Sequence, residues 1–152
     1  IAATAKRDNR RITTVINGTN SSRIRLNEAT NLINWAFSQT SKKTLLNKDQ
    51  VIVEVDVWLG NKPRVNLVSS NKIISTLSFE QIQLIKSSLK YKRPIEAPIQ
   101  KGDVYGKLII NIEGKPNIEV DLIAQENIGT INPILKVFAA IKYLIFGTSL
   151  DE

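Results

Sequence analysis

A two-residue period in the side chains begins at residue 51 and limits the folds that this chain can adopt. Successive side chains of a β-strand point to opposite faces, so alternating apolar and polar residues indicate a strand with one buried face. The apolar series is Val51, Val53, Val55, Val57 and Leu59, and the intervening residues are Ile52, Glu54, Asp56 and Trp58.

The same alternation recurs further along the chain. It returns over 107–113 and 118–125, and shorter β-rich runs occupy 73–77 and 85–91. Turn residues such as Gly114-Lys115-Pro116-Asn117 separate these runs. Short strands separated by turns predict a mainly β fold, with a small antiparallel β-sandwich domain over 51–130.

The residues before the alternation follow other patterns. Residues 2–16 read as a hairpin that ends at the turn dipeptide Asn17-Gly18, and Ser21 or Ser22 can cap a following helix. Two strands and one helix cannot bury both faces of a sheet, so 1–38 is interpreted as a strand-strand-helix edge of a larger unit. The polar segment 39–50 is interpreted as a linker. The apolar residues at helical spacing, expected to form one buried face, are Leu26, Ala29, Leu32, Ile33, Ala36 and Phe37.

Helical character returns within the C-terminal segment 131–152. Asn132 suits an N-cap, and Gly147 can close the helix. Such a helix reaches only ~22 Å, short of the ~30 Å hydrocarbon core, so we expect it to lie in the membrane interface as an amphipathic anchor. Packing of its apolar side against the β domain is the alternative. The anchor candidates are Ile134, Lys136, Val137, Phe138, Ile141, Lys142, Leu144 and Ile145.

The absence of cysteine and histidine restricts the possible chemistry. Thiolate nucleophiles, disulfides and imidazole-based triads or zinc sites are excluded. The sequence also lacks a glycine-rich phosphate loop and an EF-hand pattern. It therefore implies no cofactor and no metal.

Positive charge is concentrated in residues 1–48, which hold nine Lys or Arg residues against Asp8 and Glu28. A basic segment can bind nucleic acid or anionic lipid. Only Trp35 and Phe37 could stack on bases there, and both lie in the helical apolar pattern. We therefore favour a segment whose compensating acids lie elsewhere in a larger domain, and we predict no nucleic-acid binding.

Two Ser-x-x-Lys matches, Ser69–Lys72 and Ser87–Lys90, are candidate acyl-transfer motifs. In such sites the serine attacks a carbonyl and the lysine handles its proton, with Ser-x-Asn and Lys-Thr-Gly elements nearby. Here the Ser-x-Asn match at Ser69 overlaps the first motif, and no Lys-Thr-Gly occurs. Both matches are interpreted as chance, so no catalytic residue is assigned to this chain.

Paired carboxylates, Glu54 with Asp56 and Glu119 with Asp121, share strand faces. A hydrolase could use such pairs, but the solvated outer face of a half-buried sheet has the same spacing, and we favour that interpretation.

Several segments, taken in chain order, carry a family resemblance. They are Ala2-Ala3-Thr4-Ala5, Arg7-Asp8-Asn9-Arg10-Arg11-Ile12, Leu32-Ile33-Asn34-Trp35-Ala36-Phe37, Val57-Trp58-Leu59-Gly60, Ala97-Pro98-Ile99-Gln100-Lys101-Gly102 and Val104-Tyr105-Gly106-Lys107-Leu108. Together they resemble the C-terminal half of low-molecular-mass penicillin-binding proteins, the D-alanyl-D-alanine carboxypeptidases related to penicillin-binding protein 5. Ala36 stands where that family usually has glycine, and the segment after Gly129 lacks its paired phenylalanines.

The resemblance implies a periplasmic serine-type carboxypeptidase that trims peptidoglycan pentapeptides and is acylated by β-lactams. Its catalytic Ser, Lys and Asn would precede Ile1, and the chain contains no methionine. The resemblance thus implies a non-catalytic C-terminal portion, in which 1–38 is a strand-strand-helix remnant of an α/β catalytic domain. Its β domain would position the catalytic domain relative to the inner membrane, which the C-terminal helix would contact from the periplasmic side.

Two further expectations concern partners. Residues 1–37 are expected to self-associate, because an incomplete sheet leaves a free strand edge and uncovered apolar surface. An alternative function is a self-contained interaction module that docks other cell-wall proteins through the β domain.

Overall fold

The computed structural model describes residues 1–132 together with Val137 and Ile141. The chain divides into two compact units. Unit 1 consists of residues 1–45, 73–86 and 112–115, and unit 2 consists of residues 46–72, 87–111 and the described residues from 116 onward. Each unit therefore combines segments that are far apart in the sequence.

Unit 1 begins with the predicted hairpin and helix, and both predictions are confirmed. β1 (Ala2–Arg7) pairs antiparallel with β2 (Arg10–Val15) through a two-residue loop in which Asp8 has a φ of 51°. Asp is one of the few residues that adopt this left-handed conformation readily. α1 (Ser22–Gln39) follows its N-cap Ser21, whose hydroxyl accepts a hydrogen bond from the Ile24 backbone N–H at 3.2 Å.

The apolar face predicted for α1 is only partly buried. Ala29 is 1% exposed and Ile33 is 9% exposed, whereas Leu26 is 56% and Leu32 is 40% exposed. The prediction of one buried face was therefore wrong for Leu26 and Leu32. The physical reason is that α1 packs on a sheet of two strands, which covers a narrow arc of the helix.

The linker predicted over 39–50 was also wrong for most of its length. Residues of this segment form β3 (Thr40–Leu46), which pairs with β6 (Ile73–Ser78). The side chains of Lys42, Lys43 and Thr44 are exposed, so this strand lacks the apolar alternation by which strands are recognised in a sequence.

A short helix, α2 (Phe79–Gln83), precedes β7 (Lys86–Tyr91). The Ser78 hydroxyl accepts a hydrogen bond from the Gln81 backbone N–H, and the Gln81 side-chain oxygen accepts one from the Ser78 N–H, each at 3.1 Å. This capping box is visible in the sequence as Ser-x-x-Gln, although the helix was not predicted. The strand predicted over 85–91 is confirmed as β7.

Unit 2 is built around a six-stranded sheet, which confirms the mainly β fold class. Its further strands are β4 (Val51–Trp58), β5 (Arg64–Ser69), β8 (Ile95–Glu96), β9 (Val104–Asn111) and β10 (Ile118–Ala124). The strand order is β7-β9-β10-β5-β4-β8. The β4–β5, β5–β10 and β9–β10 pairs are antiparallel as predicted, whereas β8 runs parallel to β4.

One face of this sheet forms the core of unit 2. The alternation that predicted the strands decides which residues point inward: Val55 is 2% exposed, and its neighbours Glu54 and Asp56 are exposed. The least exposed core residues, each at 0–2%, are Val55, Val65, Leu67, Val68, Ile99, Val120, Leu122, Ala124 and Ile128.

Candidate functional site

Ser69, the serine of the first Ser-x-x-Lys match, lies at the end of β5 and is fully buried. Its hydroxyl donates a hydrogen bond to the Asn71 carbonyl oxygen at 2.7 Å, and its backbone bonds to Gln50 and Asp49. Lys72 is exposed. A buried hydroxyl that is already committed to a backbone oxygen has no access to a substrate carbonyl.

Ser87 and Lys90, the second match, both lie on β7 and are exposed. Residues three positions apart on a strand point to opposite faces, so this serine and this lysine cannot share a proton. Neither match has the nucleophile–base geometry that acyl transfer requires.

The carboxylate pairs lie on the outer face of the sheet. Arg64 bonds Glu54 at 3.1 Å and Asp56 at 3.2 Å, and Lys107 bonds Glu119 at 3.0 Å. The hydrogen bond and charge of Glu54, followed by the charge of Asp56, raise the pKa of Arg64, and Glu119 likewise raises the pKa of Lys107. All these side chains are more than half exposed, as the solvated-face interpretation expects.

Two arginines of the basic N-terminal segment have internal partners in unit 1. The Arg10 guanidinium donates to the Ala36 carbonyl oxygen at 3.1 Å and also bonds Thr40 at the end of α1. The guanidiniums of Arg7 and Arg10 lie 4.5 Å and 5.5 Å from the Phe37 ring centroid. A cation near helix C-terminal carbonyls is stabilising, so the segment's charge has a structural use that the composition did not reveal.

A shallow depression of about 360 Å³, here called the β7 depression, lies where β7 ends beside the start of β9. Its aromatic residues, Tyr91 and Tyr105, are half-buried. Burial, followed by the charge of Asp103, raises the pKa of Tyr105. The lining residues are Lys90, Tyr91, Lys92, Val104, Tyr105, Gly106 and Lys107.

Gly106 lines the depression at a point of close contact between two strands. A Cβ at this position would lie 2.7 Å from Tyr91 Cβ and 2.8 Å from the Lys90 carbonyl oxygen, so β7 and β9 approach each other closely here. Sequence reasoning missed this site, because residues 49–152 balance twelve cations against twelve acids when they are counted together. The local run of cations on β7 was the available signal.

The membrane-anchor candidates fall almost entirely outside the described residues. Val137 and Ile141 have helical backbone conformation and are 61% and 47% exposed. The other candidates, Ile134, Lys136, Phe138, Lys142, Leu144 and Ile145, lie outside the described part. Over the residues that are described, no helix is long and apolar enough to cross a membrane, and no group of three metal-binding side chains occurs.

The fold and surface define a β-rich domain accompanied by a small α/β unit. A family model described as the C-terminal domain of penicillin-binding protein 5 matches residues 41–130. This match covers more than half of the chain, and the chain belongs to that family. The resemblance inferred from the sequence is thereby confirmed.

Two curated relatives are D-alanyl-D-alanine carboxypeptidases. DacC of Escherichia coli (strain K12) and DacF of Bacillus subtilis (strain 168) are each 31% identical to this chain over 84% of its length. The chain spans about a third of these relatives, 32% and 33% of their lengths.

Solved structures have the same fold. Penicillin binding protein 5 from Haemophilus influenzae matches with a TM-score of 0.61 at 24% identity, over 85% of this chain and 38% of that one. The D-alanyl-D-alanine carboxypeptidase DacD from Francisella tularensis matches with a TM-score of 0.61 at 23% identity, over 86% and 33%. At these identities the likeness supports the fold alone.

Proposed function

We propose that this chain is the non-catalytic C-terminal region of a serine-type D-Ala-D-Ala carboxypeptidase that trims peptidoglycan pentapeptides. The observation that carries the proposal is the alignment of 84% of the chain with about a third of two curated carboxypeptidases. In this account, pentapeptides and β-lactams are ligands of the whole protein. The buried Ser69 hydroxyl and the opposed Ser87–Lys90 pair support the view that this chain does not supply the nucleophile.

The gene itself tests this assignment. Sequencing upstream of the Ile1 codon should reveal, in the same reading frame, a Ser-x-x-Lys helix start, a Ser-x-Asn loop and a Lys-Thr-Gly strand in that order. An upstream frame that encodes an unrelated domain, without these motifs, would contradict the proposal.

The role proposed for the β domain is to hold the catalytic domain at the periplasmic face of the inner membrane. Support comes from the amphipathic pattern of 132–147 and from the exposure of Val137 and Ile141, which have helical conformation. Lys136 and Lys142 would face anionic headgroups, each contributing ~1 kcal/mol near the surface.

Flotation with anionic liposomes tests the membrane contact. Wild type should float, and Phe138→Glu with Ile141→Glu should abolish flotation while the melting temperature stays unchanged, because only the interfacial face is altered. The matched control is Val51→Glu with Val104→Glu, two exposed apolar positions of the sheet, which should float like wild type. A sharp fall in melting temperature for the helix variant, with no flotation by wild type, would identify the helix as part of the core.

A further inference from the structure

The outermost strand of the six-stranded sheet, β7, has a neighbour on one side only within the described part of the chain. It pairs with β9, and its other edge has no strand partner. A strand edge of this kind presents backbone N–H and C=O groups that can pair with another extended chain. The opposite edge is formed by β8, which has only two residues, whereas β7 has six, a length over which an added strand can pair.

The charges on β7 differ from those on the rest of the sheet. On the other strands of the sheet, the exposed cations are Arg64 and Lys107, and both bond to acidic side chains. On and just after β7, by contrast, no cation has an acidic partner among the described residues. These four exposed cations are Lys86, Lys90, Lys92 and Arg93, and no acid separates them in the sequence.

Unpaired lysines along a strand edge favour acidic partner strands over basic ones. Like charges placed opposite each other destabilise a strand pair, so two copies of β7 should not pair with each other. An acidic strand would instead place carboxylates opposite Lys90 and Lys92. Edge lysines can also serve only to prevent aggregation. That explanation does not account for the adjoining β7 depression, which half-buried Tyr91 and Tyr105 line.

We propose that β7 is a docking edge for an extended acidic peptide segment of a partner protein, which adds to the sheet as a further strand. Backbone hydrogen bonds to the open edge would provide affinity, and Lys90 and Lys92 would select carboxylates. Apolar side chains of the added strand would cover the β7 depression. This inference goes beyond the proposed function and does not depend on it.

The test is fluorescence anisotropy of the full chain with a labelled short peptide of alternating Glu and Val. Lys90→Glu with Lys92→Glu should weaken binding by about tenfold or more, since it places acids opposite acids. The matched control is Lys42→Glu with Lys43→Glu, which makes the same charge change on two exposed lysines of β3. This control should bind the peptide with nearly wild-type affinity.

A second arm uses wild-type protein, so it does not depend on the folding of a variant. The same peptide, N-methylated at alternate residues, loses backbone donors but keeps its charge, and it should bind about tenfold more weakly or worse. Equal affinity of the two peptides, an equal loss in the control variant, or no peptide binding by wild type would overturn the proposal. Another contradicting result would be that wild type binds phosphatidylglycerol vesicles but not the peptide, and that Lys90→Glu with Lys92→Glu abolishes the vesicle binding. That result would indicate a lipid-binding edge.

Discussion

At the scale of single residues, two adjacent arginines of β2 have different surroundings. The Arg10 side chain bonds the Ala36 and Thr40 carbonyl oxygens at the end of α1, whereas the exposed Arg11 side chain has no hydrogen bond or ion pair among the described residues. Charge-assisted bonds to helix C-terminal carbonyls combine a hydrogen bond with a favourable helix-dipole interaction. The contrast makes the two arginines a matched pair for mutagenesis.

Arg10→Gln should lower the free energy of unfolding by about 1–2 kcal/mol, because the helix-terminal carbonyls lose a charged donor. Arg11→Gln should change it by less than about 0.5 kcal/mol, as for other surface substitutions. Urea denaturation followed by circular dichroism measures both values. Equal effects of the two substitutions would show that Arg10 contributes only its charge.

The same residues show what the sequence could not predict. Both arginines stand in one basic run, and only the fold brings the end of α1 next to Arg10. Ser69 and Lys72, in contrast, could be judged from sequence alone, because their motif overlapped its supposed partner and lay in a strand pattern. Local patterns report local structure, whereas contacts over twenty or more residues depend on topology.

At the scale of elements, alternating strands were predictable and polar ones were not. β4, β9 and β10 each have one apolar face that packs on the core. That face produces the two-residue alternation from which these strands were predicted. β3 has three consecutive exposed residues, Lys42, Lys43 and Thr44, and exists through backbone pairing with β6, which leaves no periodic signal in the sequence. The strand β7 was predicted, but its position at the edge of the sheet depends on the strand order, which a local sequence pattern does not report.

The close approach of β7 and β9 gives an element-scale prediction. Gly106→Ala places a methyl group against the Lys90 carbonyl oxygen and Tyr91, and backbone cannot give way as a flexible side chain can. We expect a loss of about 1–3 kcal/mol in the free energy of unfolding. Gly129→Ala is the matched control, because its nearest neighbour would be Asn61 at 3.5 Å, an ordinary contact. A neutral Gly106→Ala variant would show that the two strands are not held in contact.

At the scale of the whole molecule, unit 1 has a notable amount of exposed apolar surface. Val15 is 74%, Trp35 is 55% and Ile24 is 46% exposed, and β1 and β2 form a sheet of only two strands. Surfaces of this kind usually contact another chain or another domain. The self-association expected of residues 1–37 therefore stands as a proposal about this surface.

Analytical ultracentrifugation tests that proposal. Wild type should show association that grows with concentration, and deletion of residues 1–40 should give a more monomeric protein. Ile24→Lys with Trp35→Lys should have the same effect while leaving the hairpin in place, whereas Val51→Lys with Val104→Lys in unit 2 should not. A wild-type protein that stays monomeric at high concentration would refute the proposal.

Covalent labelling tests the proposal that this chain is the non-catalytic region of a carboxypeptidase. The purified chain is incubated with a fluorescent penicillin and examined by intact-mass spectrometry, with D-alanine release from a pentapeptide measured in parallel. We expect no mass increase and no D-alanine, because Ser69 is buried and Ser87 has no lysine on its face of the strand. A stoichiometric penicilloyl adduct on Ser69 or Ser87 would contradict it.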